Sequence, residues 1–284
     1  MINTKEEKWT TIIKPKVGLL DINIRELLSS TDLIKMFVKR DVVVQYKQTI
    51  LGPLWFFIRP LLTTVMYMVV FGEIAKIPTD GLPQPLFYLS GICLWNYFST
   101  CLTATSSTFL SNSYIFGKVY FPRLIMPIST VISNLITLGI QMLLFILFYA
   151  FYVFKGFSVA PNIYILLTPV LIIMLAGLSL GFGIIVSSLT TKYRDLQILF
   201  SFIVQLWMYA TPVIYPLSEI PDGRRWISVL NPVTSIVETF KYATLGRGTF
   251  SWEYLGYSFG FMCLVLCIGI VLFNKLQRTF MDTV

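Results

Sequence analysis

The chain has 284 residues, of which 56% are hydrophobic and 13% charged, and its mean hydropathy is +0.74. An average soluble domain carries about 25% charged residues, so this composition excludes an ordinary soluble protein and indicates an integral membrane protein. The net charge is +8 and there is no histidine, which removes the commonest metal ligand and proton shuttle.

The segment ahead of the first apolar run is predicted to form an amphipathic helix over residues 32–48, capped by Ser30 or Thr31. Its apolar residues gather on one half of a helical wheel and its bases on the other, which is typical of a helix lying flat at the inner membrane interface. Asp41 and Gln45 interrupt the apolar half. Either part of this face meets protein, or these two residues sit at the headgroup boundary.

Six apolar runs are long enough to cross the hydrocarbon core of a bilayer, which is about 30 Å thick. They are residues 53–71, 86–110, 124–154, 163–188, 196–217 and 254–274. The predicted fold is therefore an all-α membrane protein with six transmembrane helices. We expect a cytoplasmic N-terminal segment, residues 1–52, followed by a six-span membrane domain, residues 53–284.

The basic residues are unevenly distributed between the two sides that six spans define. With the N-terminus inside, 15 of the 22 bases fall in cytoplasmic segments and six in outer connections. This bias predicts that both termini are cytoplasmic. The excess of positive charge therefore indicates membrane orientation rather than binding to a nucleic acid. The one base not yet assigned is Arg59, near the inner end of the first span. It either extends to the lipid headgroups or is a buried functional arginine.

The connection between the fifth and sixth spans is much longer than the others. Its middle, residues 227–240, is apolar but too short to cross the membrane as a helix, which predicts a re-entrant or interfacial helical hairpin on the outer side. Glu238 is either a surface group paired with a neighbouring base, including Lys241, or a polar group at a pore mouth. The residues selected in this hairpin are Arg224, Arg225, Asn231, Pro232 and Glu238.

No motif for energy-transducing chemistry is present. The phosphate-binding pattern G-x-x-x-x-G-K-[ST] is missing, and no pair of acids lies within a span to couple protons or sodium. All four cysteines lie in apolar runs and are predicted to be small core residues rather than metal ligands. We therefore expect no enzyme and no metal site, and a partner must supply the work of any transport.

Two spans carry uncharged polar residues at helical spacing. These stripes either join helices through hydrogen bonds of about 0.6 kcal/mol each or line a path for a neutral or weakly charged polar solute. Aromatic rings beside them would offer an apolar face to a sugar. The candidate path residues are Tyr67, Asn96, Tyr97, Ser99, Thr103, Gln205, Trp207 and Tyr209.

Three blocks of sequence occur in a distinctive order. The first contains Lys39-Arg40-Asp41, Tyr46, Leu51-Gly52-Pro53-Leu54-Trp55 and Arg59-Pro60. The second contains Lys118-Val119-Tyr120-Phe121-Pro122-Arg123 and Pro127. The third contains Tyr193-Arg194-Asp195-Leu196, Thr211-Pro212-Val213-Ile214-Tyr215-Pro216, Ile220-Pro221 and Leu230-Asn231-Pro232. From about residue 30 onward, the chain resembles the permease subunit of ABC-2 type polysaccharide exporters, which move O-antigen, capsular polysaccharide or teichoic acid.

The resemblance implies a homodimer in the bacterial plasma membrane, with two copies of a separate ABC ATPase and a channel for a lipid-linked polysaccharide between the subunits. ATP and Mg would belong to the ATPase, so this chain would bind no cofactor; membrane lipids would surround it. Residues 32–48 would be a cytoplasmic interface helix, residues 112–123 the coupling segment, and residues 192–195 a shorter contact. The coupling candidates are Asp41, Tyr46, Phe116, Lys118, Phe121, Pro122, Arg123, Arg194 and Asp195.

Two other functions stay open at this point. A drug or small-lipid exporter of the same family would have a narrower, more apolar path with fewer hydroxyls. A membrane-embedded glycan polymerase or ligase would need acids or arginines grouped in outer loops, where Arg224, Arg225 and Glu238 form the candidate cluster.

Overall fold

The computed structural model describes residues 24–47, 49–116, 118, 121–157, 160–190 and 195–283, and every regular element in these ranges is helical. The all-α prediction is therefore confirmed. The helices are α1 (Ile24–Ser29), α2 (Thr31–Tyr46), α3 (Trp55–Tyr67), α4 (Gln84–Ser106), α5 (Thr108–Ser111), α6 (Ser113–Phe116), α7 (Ile125–Phe154), α8 (Thr168–Thr190), α9 (Leu196–Tyr209), α10 (Asp222–Leu230), α11 (Pro232–Leu245) and α12 (Trp252–Thr283).

Within the described ranges, four helical segments are both long and apolar enough to cross a membrane: Gly52–Ile74, Ile125–Phe154, Ile163–Thr190 and Trp252–Lys275. The first combines a 3-10 turn, Gly52–Leu54, with α3 and a π-helical end, Met68–Ile74. Pro53 lies in its first turn, where its missing N–H costs nothing. The chain is thus a multi-pass membrane protein.

Helix α4 is the centre of the bundle, because most of its side chains between Leu86 and Leu102 are buried. It packs against α7 and α8, and α8 packs in turn against α12. Small residues permit these close approaches. Gly183 of α8, for example, lies so near Thr105 of α4 that a Cβ atom there would overlap the threonine side chain.

A second, smaller core lies where α2 packs against the first turns of α7. Its rings, which we call the phenylalanine cluster, are Phe37, Phe109, Phe116, Phe121 and Phe273. The predicted helix over residues 32–48 is observed as α2. Its apolar half is divided, since Phe37 is buried whereas Val44 is 67% exposed, so only part of that face meets protein.

The long connection after α9 folds into two helices, α10 and α11, that meet at Asn231. Pro232 begins α11, and the Asn231 side chain accepts a hydrogen bond from the Val233 N–H, as an N-cap does. Helix α11 is buried along nearly its whole length.

The prediction for the cysteines is right for Cys93 and Cys101, which are buried in α4, and wrong for Cys263 and Cys267, which are exposed on α12. The error has a physical cause. Lipid tails are as apolar as a protein core, so hydropathy alone does not distinguish a lipid-facing position from a buried one.

Candidate functional site

An open cavity of about 880 Å³ lies between α4 and α9. Its wall combines hydroxyls, one amide and aromatic rings, and among the described residues that line it none is charged. We call this cavity the polar groove. Helix α4 contributes Trp95, Ser99, Thr100, Thr103 and Ala104, its C-cap residue Ser107 follows, and α9 contributes Ser201, Phe202, Val204, Gln205, Leu206, Met208 and Tyr209.

Helical periodicity builds the polar groove. Ser99 and Thr103 of α4 and the C-cap residue Ser107 follow one another at intervals of four, which places them on one face. On α9 the same interval joins Ser201 to Tyr209 through Gln205. The two polar faces meet across the cavity.

The serine hydroxyls of the polar groove bond within their own helices. Ser99 Oγ donates to the Asn96 carbonyl at 3.3 Å, and Ser201 Oγ donates to the Ile198 carbonyl at 2.7 Å. Ser107 Oγ donates to the Ala104 carbonyl at 3.1 Å. These bonds do not connect α4 to α9. Hydrogen bonds from these serines therefore do not join the two helices, and a path-lining role for the stripes stays a prediction.

Of the predicted path residues, Ser99, Thr103, Gln205 and Tyr209 line the polar groove, and Tyr209 is 58% exposed. Trp95 and Ser107 also line the groove; neither is among the candidate path residues, although Ser107 belongs to the same polar stripe of the sequence as Ser99 and Thr103. The signal was available, because Trp95 precedes Ser99 by four positions and Ser107 follows Thr103 by four.

The other predicted path residues lie elsewhere. Tyr97 is buried in the core with 3% exposure, and Asn96 is half-buried outside the groove lining. Trp207 packs edge-on against Phe98 and its Nε1–H donates to Asn231 Oδ1 at 3.0 Å. Tyr67 is half-buried, and its hydroxyl donates to Met208 Sδ at 3.4 Å. These four do not line the polar groove, and a path-lining role for them stays a prediction.

A buried ion pair anchors α11. Lys241 Nζ lies 3.6 Å from Glu238 Oε1, and both side chains are 2% exposed. The ammonium group also donates to the Pro212 carbonyl at 2.6 Å and lies 3.9 Å from the ring centre of Phe87. Glu238 Oε2 accepts from the Thr249 N–H at 3.1 Å. The pair thus ties the hairpin to α4 and to the loop after α9.

Burial is the largest influence on the titration of this pair. It raises the pKa of Glu238 and lowers the pKa of Lys241, and in each case the opposite charge of the partner acts against the effect of burial. Glu238 therefore pairs with one of the predicted bases, but in the interior rather than at the surface. Arg224 is exposed, and an NH2 group of Arg225 donates to the Leu217 carbonyl at 3.4 Å.

Three of the predicted coupling residues lie in or beside the phenylalanine cluster. Phe116 and Phe121 are part of it, and the guanidinium of Arg123 lies 5.7 Å from the Phe116 ring centre. Burial lowers the pKa of Arg123. Asp41 accepts from Arg40, with the closest contact at 2.7 Å.

The remaining coupling candidates lie at the edge of this region or outside the described residues. Pro122 is half-buried beside Phe121, whereas Lys118 is exposed, as is Asp195 where it precedes α9. Arg194 and the side chain of Tyr46 lie outside the described part of the structure. Arg59, the base left over near the first span, is exposed, with its guanidinium 5.9 Å from the Trp55 ring centre.

A multi-pass helical protein with an uncharged polar groove has the architecture of a membrane transport protein. A model of the family "ABC-2 type transporter" matches residues 32–245. The chain belongs to this family, whose members are membrane permease subunits.

Curated relatives resemble the chain over most of its length. It is 28% identical over 254 residues to the O-antigen export system permease protein RfbA of Klebsiella pneumoniae, which covers 88% of this chain and 94% of that protein. It is 29% identical over 221 residues to the RfbA protein of Myxococcus xanthus, covering 77% and 82%. The polysialic acid transport protein KpsM of Escherichia coli is 23% identical over 250 residues, covering 86% and 93%.

Proposed function

We propose that this chain is the channel-forming subunit of an exporter that moves a lipid-linked polysaccharide out of the cytoplasm, driven by a separate ATPase. The observation that carries the proposal is the polar groove between α4 and α9, whose described lining residues supply hydroxyls, an amide and rings but no charge. The names of the relatives, two for O-antigen and one for polysialic acid, support a polysaccharide as the substrate class.

The groove chemistry suits a sliding sugar chain. Ser99, Thr103 and Gln205 offer weak hydrogen bonds that a passing hydroxyl can exchange. Tyr209 and Trp95 offer rings against which the apolar face of a sugar can rest without fixed direction. A site without charge holds no segment tightly, which continuous movement requires. The hydroxyl content of the groove favours this substrate over a drug or a small lipid.

A homodimer would convert the groove into a channel. The groove is open on one side, and α9 buries only Val204 among its 14 residues. Phe202 and Leu206 line the groove and are both more than half exposed. A second copy that covers these apolar residues would close two grooves into one passage.

This arrangement also accounts for six spans. Helix α4 has 23 residues, enough for about 34 Å at 1.5 Å per residue, and its polarity follows from facing a channel. Helix α9 has 14 residues, or about 21 Å, so it completes a crossing with the segments that flank it. The membrane domain would then be residues 53–284, with residues 1–52 cytoplasmic.

With six spans and the observed distribution of bases, both termini lie in the cytoplasm and α10 and α11 form a re-entrant hairpin on the outer side of the plasma membrane. The ATPase would contact residues 112–123 and 192–195 on the cytoplasmic side. ATP and Mg would be bound by that partner, and this chain would bind no cofactor. Glu238 is buried with Lys241, whereas Arg224 is exposed, so these residues do not support the charged cluster that a glycan polymerase or ligase would need.

The test is to purify the chain with the ATPase encoded beside it and to measure ATP hydrolysis by the complex and by each subunit alone. The gene is then deleted in its host. We expect hydrolysis to depend on both subunits, and we expect the mutant to hold glycan inside and lack it on the surface. Normal surface glycan in the deletion strain would refute the proposal.

A further inference from the structure

The phenylalanine cluster is a continuous row of rings that runs from the second helix to the last. In order, the rings are those of Phe37, Phe121, Phe116, Phe109 and Phe273, with neighbouring centres 5.8, 5.7, 6.1 and 5.4 Å apart. All five side chains are buried. Rings at these separations are in direct contact.

This row joins the candidate coupling segment to α12. Phe116 and Phe121 belong to that segment, whereas Phe273 lies near the cytoplasmic end of α12. Helix α8 is held at the same place, because the Phe109 N–H donates to Ser187 Oγ at 3.5 Å. A close-packed interior transmits displacement, so a shift of the coupling segment reaches the ends of α8 and α12 together.

Helices α8 and α12 are in close contact through glycines. A Cβ atom on Gly181 would lie 2.9 Å from Val265 Cγ1 and 3.0 Å from the Leu266 nitrogen. A Cβ atom on Gly269 would lie 3.1 Å from the Gly181 carbonyl oxygen. Backbones that touch in this way do not slide past each other without clashes, so the two helices form one stiff unit.

At its other end, α12 holds both helices of the outer hairpin. Ser258 Oγ lies 2.5 Å from Ser235 Oγ of α11, and both residues are buried. The Tyr257 hydroxyl donates to the Leu230 carbonyl at the end of α10, at 3.0 Å. The hairpin is therefore bonded to the helix that reaches the phenylalanine cluster.

We propose that α12 carries movement of the ATPase-contacting segment to the outer hairpin, with Phe273 and Ser258 as the positioning residues at its two ends. This inference rests on the proposed function, because it requires an ATPase that moves residues 112–123. It assigns the last helix a mechanical role in opening the exit, in addition to its role as a span.

The first test replaces Phe273 with alanine in the complete complex with its ATPase. We expect exported polymer per ATP hydrolysed to fall by about tenfold, a typical coupling effect, while ATP hydrolysis stays within about twofold. Phe273→Leu, which keeps most of the volume, should restore coupling. The matched control is Phe259→Ala, on the same helix but 51% exposed, and it should behave as the native chain does.

A second readout reports the hairpin directly. An environment-sensitive fluorophore on Trp226→Cys, in a chain whose exposed Cys263 and Cys267 are replaced by alanine, marks α10. Addition of ATP should change its emission in the native background and leave it unchanged in the Phe273→Ala background. A label on Phe154→Cys, at the end of α7, serves as the reference.

A disulfide across the contact at the outer end tests the remaining step. Ser235→Cys with Ser258→Cys places two thiols where the hydroxyls lie 2.5 Å apart. If α11 and α12 move together, the cross-linked complex should export polymer at the rate of the reduced complex. Loss of export on oxidation, restored by reduction, would overturn the proposal.

The outcomes separate this inference from the proposed function. If the native complex exports no glycan, the proposed function fails, and the ATP-dependent emission of the α10 label still decides the mechanical role. If the native complex exports glycan and Phe273→Ala does so equally well with an unchanged emission response, the role of α12 is refuted and the proposed function stands.

Discussion

The ammonium group of Lys241 and the carboxylate of Glu238 face each other 3.6 Å apart in a part of α11 from which water is nearly excluded. A buried charge without its partner is costly, commonly by about 3–5 kcal/mol. The pair therefore holds the hairpin in place mainly because loss of either charge would leave the other buried without a partner. The attraction between the two charges contributes less.

Lys241→Met should destabilise the protein by about 3–5 kcal/mol, because Glu238 would remain buried alone. Burial already raises the pKa of Glu238, and loss of Lys241 removes an influence that lowers it. The folded variant then holds a proton that the unfolded chain releases, so its stability falls as pH rises. Thermal unfolding in detergent should show a larger deficit at pH 8 than at pH 5.

The control for that experiment is the double variant Lys241→Met with Glu238→Gln. It removes both charges, so it should recover much of the lost stability and abolish the added pH dependence. A double variant as unstable as Lys241→Met would show that the ion pair is not the cause.

Asn231→Ala should destabilise the hairpin by about 1–2 kcal/mol. The asparagine Oδ1 accepts from the Trp207 indole and from the Val233 N–H, and its Nδ2 donates to Thr211 Oγ1 at 2.8 Å. Asn231→Asp keeps the acceptor and should cost less in a thermal unfolding assay. Equal effects of the two substitutions would argue against the capping role.

Thr103→Val combined with Gln205→Leu should slow export several-fold while leaving ATP hydrolysis and assembly unchanged, because it removes polar partners from the groove without changing its width much. The measurement is the rate at which polymer appears outside vesicles that contain the complex. Thr130→Val on α7, outside the lining residues, is the matched control. Export at the native rate would return Thr103 and Gln205 to a packing role.

Phe121→Ala should uncouple ATP hydrolysis from export, because its ring contacts both Phe37 of α2 and Phe116 of α6. We expect export per ATP to drop by about tenfold, with normal insertion into the membrane. Phe154→Ala removes an equal ring at a position 90% exposed and should have no effect. Unchanged export in Phe121→Ala would contradict the assignment of residues 112–123 to coupling.

Much of the fold followed from local sequence. The apolar runs, the amphipathic character of α2 and the break at Asn231 each depend on neighbouring residues and on helical periodicity. The polar stripes were predictable for the same reason, since Ser99 and Thr103 share a face in any helix. Their meeting with Gln205 and Tyr209 was not, because it depends on how α4 packs against α9.

The sequence by itself determined the membrane class, the helical pattern, the family and the uncharged polar character of the candidate path. Tertiary structure alone decided the surroundings of each side chain. It buries Tyr97 in the core, places Tyr209 in the groove lining, leaves Cys263 exposed and buries Glu238 beside Lys241. It also brought Phe37 and Phe273, 236 positions apart in the chain, into one row of rings. The physical reason is that hydropathy indicates only that a residue avoids water. In a membrane, such a residue can face either lipid or the protein core.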